Sequence, residues 1–220
     1  MTSDAGPHPP AGRDPAAGGP GRRGARRAFL AAALRRPGQV GAVAPSSAPL
    51  AALLAAVVPR SGTPVVVELG PGTGAVTTAI DARLPPGARH LAVELDPRMA
   101  GYLRTAHPGL EVVEGDAAAL GALLAERGVE RVDAVVSGLP WALFDDATQT
   151  SILGQVADVI GASGAFTTFA YRHGMALSAA RRFRRALHAT FGEVVLTPTV
   201  WRNVPPAFGY ICRHPRTLAR

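Results

Sequence analysis

No lysine occurs anywhere in the 220 residues, so all 23 basic side chains are arginines. Cysteine is almost absent as well: Cys212 stands alone, which excludes an intrachain disulfide framework and a cysteine-based zinc site and points to a reducing compartment. Long apolar runs are missing too. The longest alanine-and-aliphatic stretch, residues 50–58, ends at Pro59 and falls far short of the roughly 20 residues a spanning helix needs. Aromatics are scarce at 5%, yet hydrophobic residues reach 47%, much of it alanine, enough for one sizeable core without staples. No metal-ligand constellation is visible, and His107 and His173 read as surface histidines.

Charge is unevenly spread. The formal net charge of +7 divides into +5 over residues 1–36, −6 over 37–170 and +8 over 171–220. An acidic middle between basic ends suggests that the ends meet an anionic partner, a nucleic acid or an acidic membrane. Residues 1–24 hold five prolines and six glycines and read as a disordered leader. Arg26-Arg27-Ala28-Phe29-Leu30 superficially looks like an export signal. Its apolar part stops at Leu34 before Arg35 and Arg36, too short for a secretory core of about 7–15 residues.

From Val65 onward, apolar runs alternate with helical patterns. Strands are expected at 65–69, 90–94, 110–113, 132–136, 165–170, 193–200 and 207–212. Helices are expected from the glycines after 69 to about 83, from Asp96-Pro97, at 117–127, 146–160 and 175–190. Such alternation predicts an α/β fold: a Rossmann-like, seven-stranded, mostly parallel sheet with helices on both faces. No helix separates the last two strands, so the last strand is expected to be antiparallel. Residues 25–60 read as an N-terminal helical segment and 61–220 as the main domain, with ligands at the strands' carboxyl ends.

Glu68-Leu69-Gly70-Pro71-Gly72-Thr73-Gly74 sits where the first strand turns into a helix. Gly70, Gly72 and Gly74 permit a sharp turn and close approach to a ligand. A dinucleotide site would read G-x-G-x-x-G; here an acid precedes the glycines. A carboxylate there suits a ligand bearing an amino group, such as the methionyl end of S-adenosylmethionine, better than a pyrophosphate. Glu94 closes the second strand, where a carboxylate can grip both ribose hydroxyls. Asp116, followed by Ala117, comes after the third strand, placed to accept from an adenine amine. Three acids at three successive strand ends define a nucleoside pocket with an amino-acid tail.

These residues resemble those of class I S-adenosylmethionine-dependent methyltransferases over about residues 60–213. A narrower likeness covers nearly all of 29–213, beginning at Phe29-Leu30 and Arg36-Pro37. Val40-Gly41-Ala42-Val43-Ala44-Pro45-Ser46-Ser47, Val135-Val136-Ser137-Gly138-Leu139-Pro140 and Val200-Trp201-Arg202-Asn203-Val204-Pro205-Pro206 resemble the soluble bacterial phospholipid N-methyltransferases. The resemblance implies S-adenosyl-L-methionine as cofactor and stepwise methylation of phosphatidylethanolamine toward phosphatidylcholine. It also implies a cytoplasmic enzyme, peripheral at the inner face of the cell membrane. The related rRNA adenine dimethyltransferases carry an Asn before the Leu-Pro-aromatic run, where this chain has Ser137-Gly138, so a nucleic-acid acceptor falls behind. A small-molecule methyltransferase is the alternative, though it would have no need of basic ends.

Further candidates follow from position. Tyr171, after the fifth strand, and Ser137, after the fourth, are placed to orient the acceptor amine and take its proton. Trp141 and Trp201 are candidates to hold a methylated ammonium by cation–π contact, and Arg202 to pair with a lipid phosphate. Residues 28–36 read as an interfacial anchor, with Phe29, Leu30, Ala33 and Leu34 on one face and Arg35 and Arg36 at its end. In 175–190, Phe183 and Leu187 share a face opposite Arg181, Arg184, Arg185 and His188, a pattern that fits packing on the sheet with solvated arginines.

Overall fold

The computed structural model describes residues 46–216; the expected leader and the 28–36 anchor lie outside the described residues. Ser47 caps helix α1 (Ala48–Leu54), accepting from the Leu50 amide, with Pro49 in the first turn. The β-branched run Val65–Leu69 forms β1. Then follow α2 (Ala75–Asp81), β2 (Arg89–Glu94), α3 (Pro97–Ala106), β3 (Glu111–Glu114), α4 (Leu120–Ala125) and β4 (Val132–Ser137). The chain closes with α5 (Asp146–Val159), β5 (Ile160–Tyr171), α6 (Ser178–Thr190), β6 (Phe191–Leu196) and β7 (Ala207–Pro215).

The seven strands form one sheet in the order β3-β2-β1-β4-β5-β7-β6. β7 alone runs against the rest, antiparallel to both β5 and β6. The expected Rossmann-like sheet with an antiparallel last strand is therefore present. The order reverses between β1 and β4, which opens a crevice at the carboxyl ends of those strands.

Both faces are covered. On one, Leu50 and Leu54 of α1 pack with Val76 and Ile80 of α2 on Val66, Ala134 and Val136. On the other, α4, α5 and α6 bring Leu124, Ile152, Leu153, Phe183 and Leu187 onto Val67, Val135 and Phe166. Residues 46–60 of the expected N-terminal segment thus share the sheet's own core. Thr167 Oγ1 ties α1 down by donating to the Leu54 carbonyl at 2.9 Å.

Element ends differ from expectation for local reasons. β5 starts at Ile160, directly after α5: Ile160 already pairs with Val132, and Gly161-Ala162-Ser163-Gly164 bulges out of the ladder before pairing resumes at Ala165 opposite Ala134. β6 stops at Leu196; beyond the Thr197 amide, which donates to the Gly209 carbonyl, Pro198 has no N–H to donate, and pairing continues as an isolated bridge from Val200 to Ala207. The helix expected at 117–127 is a single 3₁₀ turn, Ala117–Ala119, followed by the short α4. α6 begins three residues late, after a 3₁₀ turn at Arg172–Gly174.

Phe183 is what fixes α6, stacking on Trp141 at 4.7 Å between ring centroids. Phe183→Ala is expected to cost about 3–5 kcal/mol in urea unfolding. Arg184→Ala, on the exposed face of the same helix, should stay within about 0.5 kcal/mol of the parent.

Candidate functional site

At the crevice, two turns meet backbone to backbone. The Gly138 amide donates to the Leu69 carbonyl at 2.8 Å, and the Gly70 amide to the Val93 carbonyl at 3.0 Å. A Cβ at position 138 would lie 2.6 Å from the Gly70 carbonyl oxygen, so no side chain fits there. Gly70, Gly72 and Gly74 all have positive φ, at 66°, 55° and 82°, and Gly74 in the left-handed region starts α2. Around Gly72 the space a Cβ would take is open.

The three acids occupy different environments. Glu68 is fully buried below the turn. Its Oε2 accepts from Thr77 Oγ1 at 2.6 Å and stands 3.5 Å from His90 Nε2, while its Oε1 has no hydrogen-bond partner among the described residues. His90 in turn holds Asp81 at 2.7 Å through Nδ1. Burial would push the His90 pKa down, but the flanking Asp81 and Glu68 carboxylates outweigh it and raise the value. Glu94 accepts from the Asp96 amide at 2.9 Å and, at a longer 3.4 Å, from the Gly72 amide. Burial raises its pKa against these bonds. Asp116 accepts from the Ala118 amide at 3.0 Å and caps the short 3₁₀ turn. Gly70, Glu94, Asp116 and Ala117 line one cleft, closed on its other side by Leu139, Pro140, Phe144 and Ile152.

The candidates for the transfer itself separate. Ser137 is fully buried, and its Oγ accepts from Trp141 Nε1 at 3.1 Å and from the Leu139 amide at 3.3 Å. It shapes the loop after β4 from below. Trp141 is only 3% exposed, stacked on Phe183 and edge-on to Phe144 and Phe166. Its ring therefore has no open face for an ammonium, and the expected cation–π role does not fit it: the short Leu-Pro-Trp loop folds the indole inward. Tyr171 is half-buried at the end of β5, between Phe169 and His173, and burial pushes its phenol up to about 12. Held neutral, it has a hydroxyl that can donate and accept hydrogen bonds but no phenolate to act as a base. Trp201 and Arg202 are exposed on the β6–β7 connection, and Arg172 lies over the Trp201 ring at 5.2 Å.

Residue-type reasoning missed Asp81, His90 and the cleft wall of Phe144 and Ile152. A parity signal existed for His90: it shares a sheet face with Glu68 and Glu94, as the β1–β2 register shows. His107 was expected at the surface, but its ring packs where a Gly74 side chain would be.

This chain is 36% identical over 190 residues to an ornithine lipid N-methyltransferase of Singulisphaera acidiphila, covering 84% of this chain and 94% of that protein. The chain belongs to the bacterial lipid N-methyltransferases. It is also 42% identical to the ribosomal RNA small subunit methyltransferase A of Chlorobaculum parvum, but over just 52 residues, 24% of this chain and 18% of that one. No protein-family model matches. Among solved structures, a predicted O-methyltransferase from Agrobacterium tumefaciens aligns at a TM-score of 0.57 with 20% identity, over 77% of this chain and 82% of the other. Aeropyrum pernix fibrillarin, with natively bound S-adenosyl-L-methionine, aligns at 0.55 with 18% identity, over 73% and 72%. Both share its fold.

This lipid N-methyltransferase uses S-adenosylmethionine, and its own geometry fits that group. The unpartnered Glu68 Oε1 beside the glycine turn is the acceptor an amino-bearing ligand would satisfy. Open space at Gly72 leaves room for close approach. Gly138→Ala is expected to push the two turns apart, lowering Tm by several degrees and weakening cofactor binding at least about tenfold in calorimetry.

Proposed function

We propose that the enzyme transfers methyl groups to the primary amine of phosphatidylethanolamine, stepwise toward phosphatidylcholine, at an anionic membrane surface. The observation that carries this reading is the juxtaposition, at one end of the sheet, of the nucleoside cleft with an exposed loop bearing Trp201 and Arg202. An indole face and a guanidinium are the two groups that recognise an ammonium and a phosphate. In this reading Glu94 holds the ribose hydroxyls, Asp116 and Ala117 the adenine, and Glu68 the amino group. S-adenosylmethionine, when bound, supplies an electrophilic methyl on a sulfonium.

The protein's task is then orientation and desolvation. An alkylammonium near the lysine reference pKa of about 10.4 needs roughly 4–5 kcal/mol to lose its proton at pH 7. Moving the headgroup out of water beside Phe169 and Tyr171 favours its neutral form. The Tyr171 hydroxyl can orient the nitrogen while keeping its own proton. A second reading is favoured by the relative's name: an ornithine headgroup as acceptor, an amine without a phosphate.

Transfer of label from S-adenosylmethionine to liposomes distinguishes the two. Label in mono-, di- and trimethylated phosphatidylethanolamine is expected. Label confined to ornithine lipid would replace this acceptor by the second one. Glu94→Gln is expected to weaken cofactor binding about 10–100-fold, the size of lost charge-assisted hydrogen bonds at about 1.5–3 kcal/mol. In the parent, affinity should fall on acidification at a pH above the usual glutamate range, because Glu94's raised pKa protonates it early. Calorimetry over a pH series should show that limb in the parent and not in the glutamine variant.

A further inference from the structure

Of the seven large apolar side chains exposed among the described residues, four gather on two loops. Met175 (40%) and Leu177 (58%) lie on the loop after β5, and Trp201 (66%) and Val204 (76%) on the connection from β6 to β7. The two loops touch. Arg172 N–H donates to the Pro206 carbonyl at 2.9 Å, and the Arg172 guanidinium covers one side of Trp201. Arg181 Nη1 braces the first loop by donating to the Ala176 carbonyl at 2.7 Å. Since β5 and β6 end here and β7 begins here, both loops project from the carboxyl end of the sheet, the same end at which the cleft opens.

Their charge has one sign. Between residues 171 and 206 there are six arginines and a single acid, Glu193. Glu193 sits near the opposite end of β6 against Arg213. Asp146, at the start of α5, is neutralised by Arg182 at 2.7 Å. Resting on the lipid-acceptor reading above, we infer that the 172–177 and 198–206 loops together form the surface by which the enzyme enters an anionic lipid bilayer. Met175, Leu177 and Val204 insert among the acyl chains, Trp201 sits where the chains meet the headgroups, and Arg172 and Arg202 stay at the phosphates. An indole with a guanidinium beside it suits the boundary between headgroup and hydrocarbon. Apolar side chains ringed by arginines complement an acidic leaflet. A protein partner would have to bury Arg172 and Arg202 with matching acids, whereas the leaflet leaves them hydrated. Docked so, the mouth of the cleft opens onto the layer in which lipid amines lie.

The chain carries its own probe. Of its two tryptophans, Trp141 is buried and Trp201 exposed, so a change in emission reports Trp201. The full chain is titrated with vesicles of phosphatidylglycerol and phosphatidylcholine, and with phosphatidylcholine alone. The expected result is a shift to shorter wavelength and quenching by brominated acyl chains with the anionic vesicles only, weakened by salt. Trp201→Phe should show neither. A Met175→Ser, Leu177→Ser, Val204→Ser variant should partition about tenfold or more weaker, since each side chain loses apolar burial. It should still methylate a short-chain aminolipid dissolved as monomers at the parent rate.

Vesicle-bound parent with unchanged, unquenched Trp201 emission overturns the inference, because docking then uses another surface. Emission already shifted without vesicles, and concentration-dependent, overturns it in favour of a second copy on the patch. Insertion of Trp201 with no methylation of any aminolipid supports this surface while removing the acceptor reading.

Discussion

Everything at the site depends on how closely two turns approach each other. Gly138 and Gly70 meet with no side chain between them, held by the hydrogen bond from Gly138 to Leu69. The spacing between the ends of β1 and β4 is thus a backbone contact distance, stiffer than any packing of side chains. Leu139 and Pro140 follow immediately and become a wall of the cleft. Ser137 immediately precedes, and its hydroxyl draws the Trp141 indole inward. Gln149 Nε2 completes the loop by donating to the Trp141 carbonyl at 2.8 Å. A bulkier residue at either glycine would therefore propagate into the glycine turn and the Leu-Pro wall together.

Charge is buried beneath that contact at some cost to stability. Glu94 is raised in pKa mainly by burial, so its contribution to folding is favourable below its ordinary range and is lost as pH rises through the folded value. At neutral pH its ionised form opposes folding, which is the pattern of a group retained for binding. His90 is also raised, and its stabilisation is present at low pH and lost as pH rises through its folded value. Placed between Glu68 and Asp81, it offsets the carboxylate charge that the glycine turn carries. The same strand parity that brings Glu94 to the cleft brings His90 beneath it.

The sheet was legible because its strands are runs of Val, Leu and Ala separated by glycine and capped helices. The acid-glycine turn, Glu94 and Asp116 were legible because a strand's end is fixed in space by the sheet. Trp141 was not, because loop direction depends on tertiary packing that no local pattern encodes: the aromatic after Pro140 points into a cluster made by α6, forty residues later. The start of β5 was lost for the opposite reason, since Gly161-Ala162-Ser163-Gly164 has turn composition but forms an unpaired bulge inside one strand, between Ile160 and Ala165. The Pro-Ser-Ser and Trp-Arg-Asn blocks carry the family resemblance, but nothing in the sequence says why they matter. The structure supplies one: the Ser47 amide donates to Asn203 Oδ1 at 2.9 Å, and Asn203 Nδ2 to the Pro205 carbonyl at 2.7 Å. The buried Asn203 is a clamp between the start of α1 and the β6–β7 loop.

That clamp gives the antiparallel strand its consequence. Had β7 run parallel to β6, a crossover would have carried the connecting chain back along the sheet to the amino ends. Because β7 reverses, the connection stays at the carboxyl end, where the cleft opens. The reversal alone would leave the middle of a ten-residue loop loose, since Thr197 bonded to Gly209 and Val200 bridged to Ala207 tie its first part to β7. Asn203 ties its middle to α1, and Arg172 ties its end to the turn after β5. Trp201 and Arg202 are thereby exposed yet held in a fixed place. A surface indole gains recognition value only if its position is set before the ligand arrives, because the entropy of ordering the loop has then already been met by folding.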